Sequence, residues 1–249
     1  STGILDTRIT MKLEANTILI TGGASGIGFS LAEKFVKLGN KVIICGRRKE
    51  KLQEAKDKVP ELETYEADVG TVAGIKSLAK QVIAAHPEIN VLINNAGVLQ
   101  LKNMTRTEED LENMTDELDI NVKGPIRVTS AFMDTLVKNK GTIINISSAL
   151  GFVPNMAMPI YCASKAAIHS YTISLRQQLE GKVEVIEVAP PLVKTDLINM
   201  KGAGMPVDEF TKATIDEIAA GKPLITVGLA SKFRFMSRLA PEYIQNQLK

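Results

Sequence analysis

The chain has 249 residues, of which 45% are hydrophobic and 23% are charged, and its formal net charge is +2. This composition is typical of a globular domain with a sizeable core, and so small a charge gives no electrostatic reason to expect a nucleic-acid partner. Two cysteines are too few for a disulfide framework, which favours a reducing, cytoplasmic location. No apolar run reaches the roughly 18 residues that a membrane-spanning helix needs.

The first residues lack the plan of a signal peptide, and a β-rich run follows Met11. We expect residues 1–10 to be a leader or a cloning remnant. No linker rich in proline or serine divides the remainder, so residues 11–249 are predicted to form a single domain.

Short runs rich in Val and Ile alternate with longer helical stretches. The predicted strands cover residues 17–21, 41–45, 62–67, 89–94, 141–147, 183–188 and 223–228. The predicted helices cover residues 26–38, 48–58, 71–85, 107–138, 160–180 and 208–220. Most strand runs do not alternate, which is typical of strands covered on both faces. The pattern predicts an α/β fold, namely one doubly wound Rossmann-type domain with a parallel sheet of about seven strands and helices on both faces.

A glycine-rich turn, TGGASGIG, joins the first predicted strand to the first predicted helix. Glycines there allow a tight turn and a close approach of the backbone to a pyrophosphate, and the helix start offers free N–H groups. An ordinary strand-to-helix turn is the alternative, but the position at the first junction favours a dinucleotide. The cofactor-binding residues predicted in this turn are Gly22, Ser25, Gly26, Ile27 and Gly28.

The second predicted strand ends in ICGRRKEK, without the acidic residue that usually holds the ribose of NAD. Arg47 and Arg48 follow Gly46 instead, and two guanidinium groups suit a 2′-phosphate, which they can bind bidentately. A solvated basic start of a helix is the alternative. The sequence therefore favours NADP(H) over NAD(H), with Arg47 as the better candidate of the two arginines.

The stretch YCASK places Tyr161 and Lys165 four residues apart in a predicted helix, so both can face one pocket. A free tyrosine has a pKa of about 10, and a nearby ammonium lowers that value, as general acid–base catalysis needs. Taken alone, such a pair is more often a surface pair. Ser148, however, ends a predicted strand upstream, where doubly wound sheets place their sites and where a hydroxyl can bond a carbonyl oxygen.

Polar clusters also occur in INVLINNAG (89–97) and LDINVKG (118–124). With these motifs, the chain resembles the compact type of the short-chain dehydrogenase/reductase family. The matching motifs occur in the order and spacing of the family, between Thr17 and about Thr195. They are TGGASGIG, the acid of ADV, NNAG, the asparagine of INVKG, the serine that ends the fifth strand, and YCASK.

The resemblance implies that Tyr161 donates a proton to a carbonyl under reduction, and that Lys165 lowers the tyrosine pKa and holds the nicotinamide ribose. Ser148 would steady the substrate oxygen, with Ser147 as the less favoured alternative. Asn121 would position a water in a proton relay behind the lysine. The hydride chemistry belongs to the nicotinamide.

The resemblance also implies cofactor contacts outside the glycine turn. Asp68 would touch the adenine, and the segment 95–97 would line the adenosine ribose and brace the sheet. The expected contacts of this kind are Asp68, Val69, Asn95, Ala96, Gly97, Pro190, Val193 and Thr195, together with Arg47, Arg48, Tyr161 and Lys165.

One position departs from the family pattern. After the sixth predicted strand the family usually has Pro-Gly, whereas this chain reads EVAPPLVKTDL, with Pro191 in place of the glycine. Proline removes a backbone N–H, so the turn must use other donors, while Thr195 and the backbone of Val193 can still bond the carboxamide. This doublet and its flanking motifs resemble a bacterial subgroup typified by the DltE-like oxidoreductases.

Several methionines follow the ends of two predicted strands, at Met156, Met158, Met200 and Met205. Flexible methionines fill apolar pockets, which indicates a hydrophobic substrate cleft with a lid over about residues 192–210. Plain loop packing is an equal alternative. His86 and His169 have no partner at metal-ligand spacing, so no metal site is expected.

The C-terminal segment mixes apolar side chains with basic ones, for example Phe233 and Phe235 with Lys232 and Arg238. A basic amphipathic segment can lie on a membrane surface. In the family that this chain resembles, the segment more often packs at a subunit interface, and we favour that interpretation. We therefore expect a homodimer or a homotetramer.

Together these observations predict an NADPH-dependent oxidoreductase that reversibly reduces a ketone or an aldehyde to an alcohol. The expected partner is a hydrophobic small molecule. The alternative is a non-catalytic NADP(H)-binding sensor, but such proteins tend to lose the tyrosine or the lysine, and here both are present with Ser148. A sugar-nucleotide epimerase or dehydratase would have a longer chain and a TGxxGxxG turn, and this chain has neither feature.

Overall fold

A computed structural model describes residues 10–101, 104, 111, 113–195, 197 and 203–246 of the chain. Its strands are β1 (Thr17–Thr21), β2 (Lys41–Gly46), β3 (Glu63–Glu66), β4 (Val91–Asn94), β5 (Thr142–Ile146), β6 (Glu184–Ala189) and β7 (Leu224–Thr226). Its helices are α1 (Gly26–Lys37), α2 (Lys49–Lys58), α3 (Val72–Ala85), α4 (Asp116–Leu118), α5 (Gly124–Lys138), α6 (Pro159–Gln178), α7 (Val207–Ala219), α8 (Leu229–Leu239) and α9 (Pro241–Asn246).

The described strands form one seven-stranded sheet of order β3-β2-β1-β4-β5-β6-β7, in which every pairing is parallel. The chain changes direction across the sheet between β1 and β4, where Ile18 pairs with Val91 and Leu19 with Leu92. In a doubly wound sheet, ligands bind outside the carboxyl ends of the strands at this switch point. The predicted doubly wound α/β fold is confirmed.

The sheet is buried on both faces because its apolar side chains divide between two cores. On one face, Ile18 and Ile20 of β1 belong to a core that includes Phe35 of α1 and side chains of α2 and α7. On the other face, Leu19 and Ile43 join side chains of α3, α5 and α6. Neighbouring residues of a strand point to opposite faces, so a continuous Val/Ile run is needed to supply both cores.

The helix predicted over residues 107–138 is interrupted in the structure. Residues 105–110 and 112 lie outside the described residues, and residues 113–115 form turns rather than helix. The chain then passes through α4 into a π-helical turn, Asp119–Lys123, and continues as α5. Pro125 stands in the first turn of α5, where a missing N–H is tolerated. Such π-helical turns are frequent at functional sites.

The C-terminal helices α8 and α9 were not among the predicted helices. They follow β7, and α9 reaches back to the loop after β5, where Gln245 Nε2 donates to the carbonyl of Pro154 at 2.9 Å. Phe235 and Leu239 of α8 remain exposed. In the described part of the chain, no helix combines the length and the apolar character that crossing a bilayer requires.

Candidate active site

A cleft of about 770 Å³ opens at the carboxyl ends of the central strands, a volume in the usual range for small-molecule sites. We call one part the glycine end; it comprises the turn 22–28, Arg47, Arg48 and Asp68. We call the other part the apolar end; it comprises Leu150, Met158, Leu192, Leu197, Leu229 and Phe233. Tyr161 and Lys165 lie between the two ends.

The glycine turn leaves bare backbone as the wall of the cleft. Gly22 and Gly26 have φ angles of +65° and +55°, which favour glycine. A Cβ atom at Gly28 would lie 2.5 Å from the carbonyl oxygen of Gly22, so a side chain has no room there. The first turn of α1 holds no acidic residue, and the side chain of Ser25 makes no capping bond to it. Its N–H groups and positive dipole end are therefore available to an anion.

Asn95 braces this turn from the end of β4. Its Nδ2 donates to the carbonyl oxygens of Thr21 at 3.0 Å and Gly22 at 3.1 Å. In return, the Thr21 hydroxyl oxygen accepts from the backbone N–H groups of Asn95 and Ala96, at 3.0 and 3.1 Å. The ends of β1 and β4 are thus locked together, which matches the bracing that the family resemblance implied for this segment.

Three cations stand at the edge of the glycine end, namely Arg47, Arg48 and Lys51. Both arginines are exposed. Lys51, which the sequence analysis did not single out, lies one turn into α2 and pairs with Glu54 at 2.6 Å. Asp68 also lines the cleft, and its Oδ1 accepts from the backbone N–H of Gly70 at 2.8 Å. The net local charge of this edge is positive.

Tyr161 and Lys165 share one face of α6 and are 7% and 5% exposed. The lysine Nζ lies 5.6 Å from the centre of the tyrosine ring and donates to the carbonyl oxygen of Ile146 at 3.0 Å. Ser148, at the end of β5, shares a hydrogen bond with the Tyr161 hydroxyl. The structure therefore brings the three side chains expected to act on the substrate into one wall of the cleft.

A chain of buried amides fixes α6 on the sheet. Asn94 Nδ2 donates to Asn145 Oδ1 at 2.9 Å, joining β4 to β5. Asn145 Nδ2 in turn donates to the Thr172 hydroxyl on α6, also at 2.9 Å. Because buried amides must be hydrogen-bonded, these contacts hold α6, and with it the Tyr161 face, in one register against the strand ends.

Burial, rather than Lys165, dominates the pKa of Tyr161 in this structure. Burial raises the pKa of Tyr161 to about 12, and the bond from Ser148 opposes that rise only in part. Burial also lowers the pKa of Lys165 from 10.5 to about 8, which weakens the cation that was expected to stabilise the phenolate. The lysine Nζ faces the tyrosine ring and the Ile146 carbonyl rather than bonding the phenol oxygen.

Asn121 lies behind this wall rather than in it. The side chain is 1% exposed, and the cleft is lined at this point by its neighbour Ile120. The Oδ1 of Asn121 accepts from the N–H of Val98 at 2.9 Å, and Nδ2 donates to the carbonyl of Val98 at 2.8 Å. The amide thus holds the loop that follows Gly97.

The two adjacent serines have different surroundings. The hydroxyl of Ser147 donates to the buried carboxylate of Glu187 at 2.5 Å, and the same carboxylate bonds His169 Nδ1 at 2.8 Å. The hydroxyl of Ser148 accepts from the N–H of Leu150 at 3.1 Å and faces Tyr161. Both serines line the cleft, but only the Ser148 hydroxyl bonds Tyr161, whereas Ser147 is engaged by Glu187 and His169 packs against Phe152.

A family model described as short chain dehydrogenase matches residues 16–206, which span the glycine turn, the braced strand ends and the Tyr161 helix. The chain belongs to this family. Because its relatives are oxidoreductases and dehydrogenases, this short-chain dehydrogenase is an NAD(P)-dependent enzyme.

Three comparisons illustrate the relationship. The uncharacterized oxidoreductase DltE of Bacillus subtilis (strain 168) is 38% identical over 226 residues, which cover 87% of this chain and 89% of that protein. The NADP-dependent 3-hydroxy acid dehydrogenase YdfG of Salmonella typhi is 36% identical over 213 residues, covering 81% and 85%. A short chain dehydrogenase from Burkholderia cenocepacia J2315, solved in complex with NADP, superimposes with a TM-score of 0.84 at 27% identity, covering 96% and 99%. The resemblance to the family and to DltE-like oxidoreductases is confirmed.

The segment after β6 closes one side of the cleft in this short-chain dehydrogenase. Pro190, Pro191 and Val193 line the cleft, and a β-bridge ties Val193 to Met205. Thr195 lies over the glycine turn, since a Cβ atom at Gly26 would be 3.4 Å from its side chain. Within the predicted lid, residues 196 and 198–202 lie outside the described residues, and residues 207–210 form the first turn of α7.

The apolar end includes residues that sequence analysis did not connect to the site. Leu229 and Phe233, one helical turn apart on α8, line the cleft together with Met158. The spacing of four residues predicts that Leu229 and Phe233 share one face of a helix, but the sequence does not indicate which part of the fold this face contacts. Met156 is 73% exposed, and Met205 packs against the core. Met200 lies outside the described residues.

Proposed function

We propose that this short-chain dehydrogenase uses NADPH to reduce a ketone or an aldehyde to an alcohol, reversibly, with Tyr161 as the general acid and base. The observation that carries the proposal is the convergence of Ser148, Tyr161 and Lys165 on one wall of the cleft that also bears the glycine turn and the arginine pair. No described feature favours a sensor without turnover.

In this proposal the substrate oxygen lies between the hydroxyls of Ser148 and Tyr161. A bound NADPH supplies the hydride that adds to the carbonyl carbon. The raised pKa of Tyr161 keeps the phenol protonated at neutral pH, so it can donate to the oxygen as negative charge develops there. The reverse reaction needs the phenol deprotonated, so alcohol oxidation is expected to increase with pH.

The expected cofactor is NADP(H) rather than NAD(H). The glycine turn and the uncapped start of α1 suit a pyrophosphate, and Arg47 and Arg48 at the edge of the cleft suit a 2′-phosphate. Asp68 and Val69 line the cleft next to this edge, where an adenine would lie. On the other side of the cleft, Thr195 and Val193 would hold the nicotinamide amide.

The substrate is expected to be an apolar carbonyl compound. The residues of the apolar end are Leu, Met and Phe, and the polar residue Asn155 also lines the cleft. The segment of about residues 192–210 would act as the lid. A cytoplasmic location, and a homodimer or homotetramer, remain predictions from the sequence.

The test is an NADPH-oxidation screen over aliphatic, aromatic and keto-ester carbonyls with the wild type and the Tyr161→Phe variant. We expect turnover on at least one apolar carbonyl, and a kcat lower by about a hundred- to ten-thousandfold in Tyr161→Phe, since that is the usual contribution of a general acid. Tyr171→Phe, on the same helix but outside the cleft, is the control and should keep the wild-type rate. Wild-type turnover in Tyr161→Phe would contradict the assignment, and NADPH binding without any turnover would favour the sensor.

A further inference from the structure

Glu117 of α4 is a buried acid that has no role in the reaction proposed above. It is 1% exposed, although it sits on a short helix whose neighbour Asp116 faces solvent. Burying an ionised carboxylate is costly unless it is hydrogen-bonded and faces an opposite charge. Both of these conditions are met on the side that faces Tyr161 and Lys165.

The hydrogen bonds of Glu117 lead to the helix of Tyr161. One N–H of Asn121 Nδ2 donates to Val98, and the other is shared between the Oε1 of Glu117 at 3.3 Å and the Ser164 hydroxyl at 3.2 Å. That hydroxyl donates to the carbonyl oxygen of Tyr161 at 2.7 Å. The carboxylate therefore lies at one end of a buried chain of polar groups whose other end is the backbone of the tyrosine.

The charge of Glu117 also acts on Lys165. Burial lowers the pKa of Lys165 to about 8, and the Glu117 carboxylate is the charge that raises it against that trend. The side chains of Asn121 and Lys165 both lie beside Gly97. A Cβ atom at Gly97 would be 3.4 Å from Asn121 Oδ1 and 3.7 Å from the lysine Nζ. The amide that Glu117 holds and the ammonium that it faces therefore border the same glycine.

Other ionisable groups on the elements packed against α4 have different neighbours. Asp119 and Lys123 of the π-helical turn form an exposed ion pair with each other at 2.8 Å. On α6, the groups that interact with Glu117 are Tyr161, Cys162 and Lys165. Of these three, only the lysine carries a positive charge.

On α6, Tyr171 shares a hydrogen bond with Thr129 of α5, and two other ionisable side chains turn to β6. His169 bonds the Glu187 carboxylate at 2.8 Å, and Arg176 donates to the carbonyl oxygen of Val185 at 2.7 Å. Neither is therefore the partner of Glu117.

We propose that Glu117 is a positioning residue for the reaction, acting through Asn121 and Lys165: its buried carboxylate orients the asparagine amide and is the counter-charge of the lysine ammonium. The role rests on the proposed function, because it matters only where Lys165 serves a reaction at Tyr161. The negative charge opposes phenolate formation at Tyr161, so Glu117 favours the protonated tyrosine that reduction needs.

The test compares Glu117→Gln, which keeps an acceptor for Asn121 and removes the charge, with Asp116→Asn, which removes the exposed neighbouring charge. Trace acetylation of Lys165 by acetic anhydride, followed by peptide mass spectrometry over a pH series without nucleotide, reports the titration of the amine. We expect a midpoint near the wild-type value in Asp116→Asn and a midpoint lower by about one pH unit in Glu117→Gln, because an opposite charge has been lost. Glu117→Asp, whose carboxylate is withdrawn by one methylene, should fall between the two.

Turnover supplies the second measurement. In the proposed role, kcat for reduction falls at high pH as Lys165 loses its proton. This fall should begin about one pH unit lower in Glu117→Gln, so the variant is about fivefold slower at pH 8 and close to the wild type at pH 6. An unchanged acetylation midpoint in Glu117→Gln would overturn the role, as would a uniform loss of kcat at every pH, which indicates a structural effect. If Glu117→Gln does not fold, a midpoint of Glu117→Asp at or above the wild-type value overturns it. A wild type that binds NADPH without reducing any carbonyl would instead contradict the proposed function, and the acetylation midpoints keep the two failures apart.

Discussion

The two ends of the cleft are built in different ways. At the glycine end the wall is backbone, held by bonds such as those from Asn95 to Thr21 and Gly22, and a single added carbon at Gly28 has no room. At the apolar end the wall is made of side chains from three distant segments, among them Met158, Leu192 and Phe233. Backbone geometry tolerates few sequences, whereas apolar side chains can be exchanged at modest cost. The glycine end is therefore suited to one constant partner, and the apolar end to a substrate that differs between relatives.

The largest effect is expected from closing the glycine end with one methyl group. In Gly28→Ala the Cβ atom would lie 2.4 Å from Asn95 Nδ2 and 2.5 Å from the Gly22 oxygen, so the brace between β1 and β4 must shift. Overpacking of this kind costs about 1–3 kcal/mol, and we expect the Kd for NADPH, measured by fluorescence titration, to rise by up to about a hundredfold. Gly46→Ala is the matched control, because its Cβ atom would meet nothing closer than Leu52 at 4.0 Å. If Gly28→Ala and Gly46→Ala bound NADPH with equal affinity, the glycine end would not be the rigid backbone wall described above.

The difference between the two ends also explains which features could be predicted from the sequence. The glycine turn, the alternation of strands and helices along the chain and the Tyr161–Lys165 pair follow from short-range spacing, because a turn, a strand or a helical face needs only neighbouring residues. The contribution of Phe233 could not be predicted, since it depends on how α8 folds back over a strand end far away in sequence. Glu117 was missed for a related reason. It is buried directly before the π-helical turn Asp119–Lys123, and a periodic pattern read as one continuous helix does not reveal such a turn.

Where the two ends meet, Lys165 should lower stability at neutral pH. Its folded pKa of about 8 lies below its ordinary 10.5, so between these values the unfolded chain binds a proton that the folded chain does not, and stability rises with pH. At pH 7 the buried charge costs about 3 kcal/mol, of which roughly 1 is offset by the bond to Ile146, so Lys165→Met should gain about 2 kcal/mol.

Thermal unfolding of the nucleotide-free protein measures this gain. For a chain of this size, we expect the Tm of Lys165→Met at pH 7 to exceed that of the wild type by about 4–8 °C, and the difference to shrink as the pH rises from 8 toward 10. The exposed Lys49→Met serves as the control. A Tm difference that stays constant over this range would mean that the folded and unfolded chains bind equal numbers of protons there, so that burial does not lower the pKa of Lys165.

A smaller effect is expected at the cationic edge of the glycine end. Arg47→Ala should raise the Kd for NADPH by about ten- to a hundredfold, because a charge-assisted hydrogen bond contributes about 1.5–3 kcal/mol, and should leave the Kd for NADH within about twofold. Lys49→Ala is the matched control, since this exposed neighbour does not line the cleft. An equal loss of affinity for both nucleotides would mean that Arg47 supports the fold of this edge and does not select the 2′-phosphate.

The smallest effect is expected at the apolar end, where Phe233 and Phe235 of α8 form a natural pair. Phe233 lines the cleft, whereas Phe235 is 63% exposed. We expect Phe233→Ala to lower kcat/KM for apolar carbonyls by about tenfold, since the loss of part of an apolar pocket is worth about 1–3 kcal/mol, and to leave the Kd for NADPH unchanged. Phe235→Ala should match the wild type in both measurements. The reverse result, a larger loss in Phe235→Ala, would mean that the outer face of α8 controls the site, as it would if that face packs on another copy of the chain. The apolar end would then be completed by assembly rather than by α8 alone, and light scattering of the Phe235→Ala variant would show the accompanying loss of the oligomer.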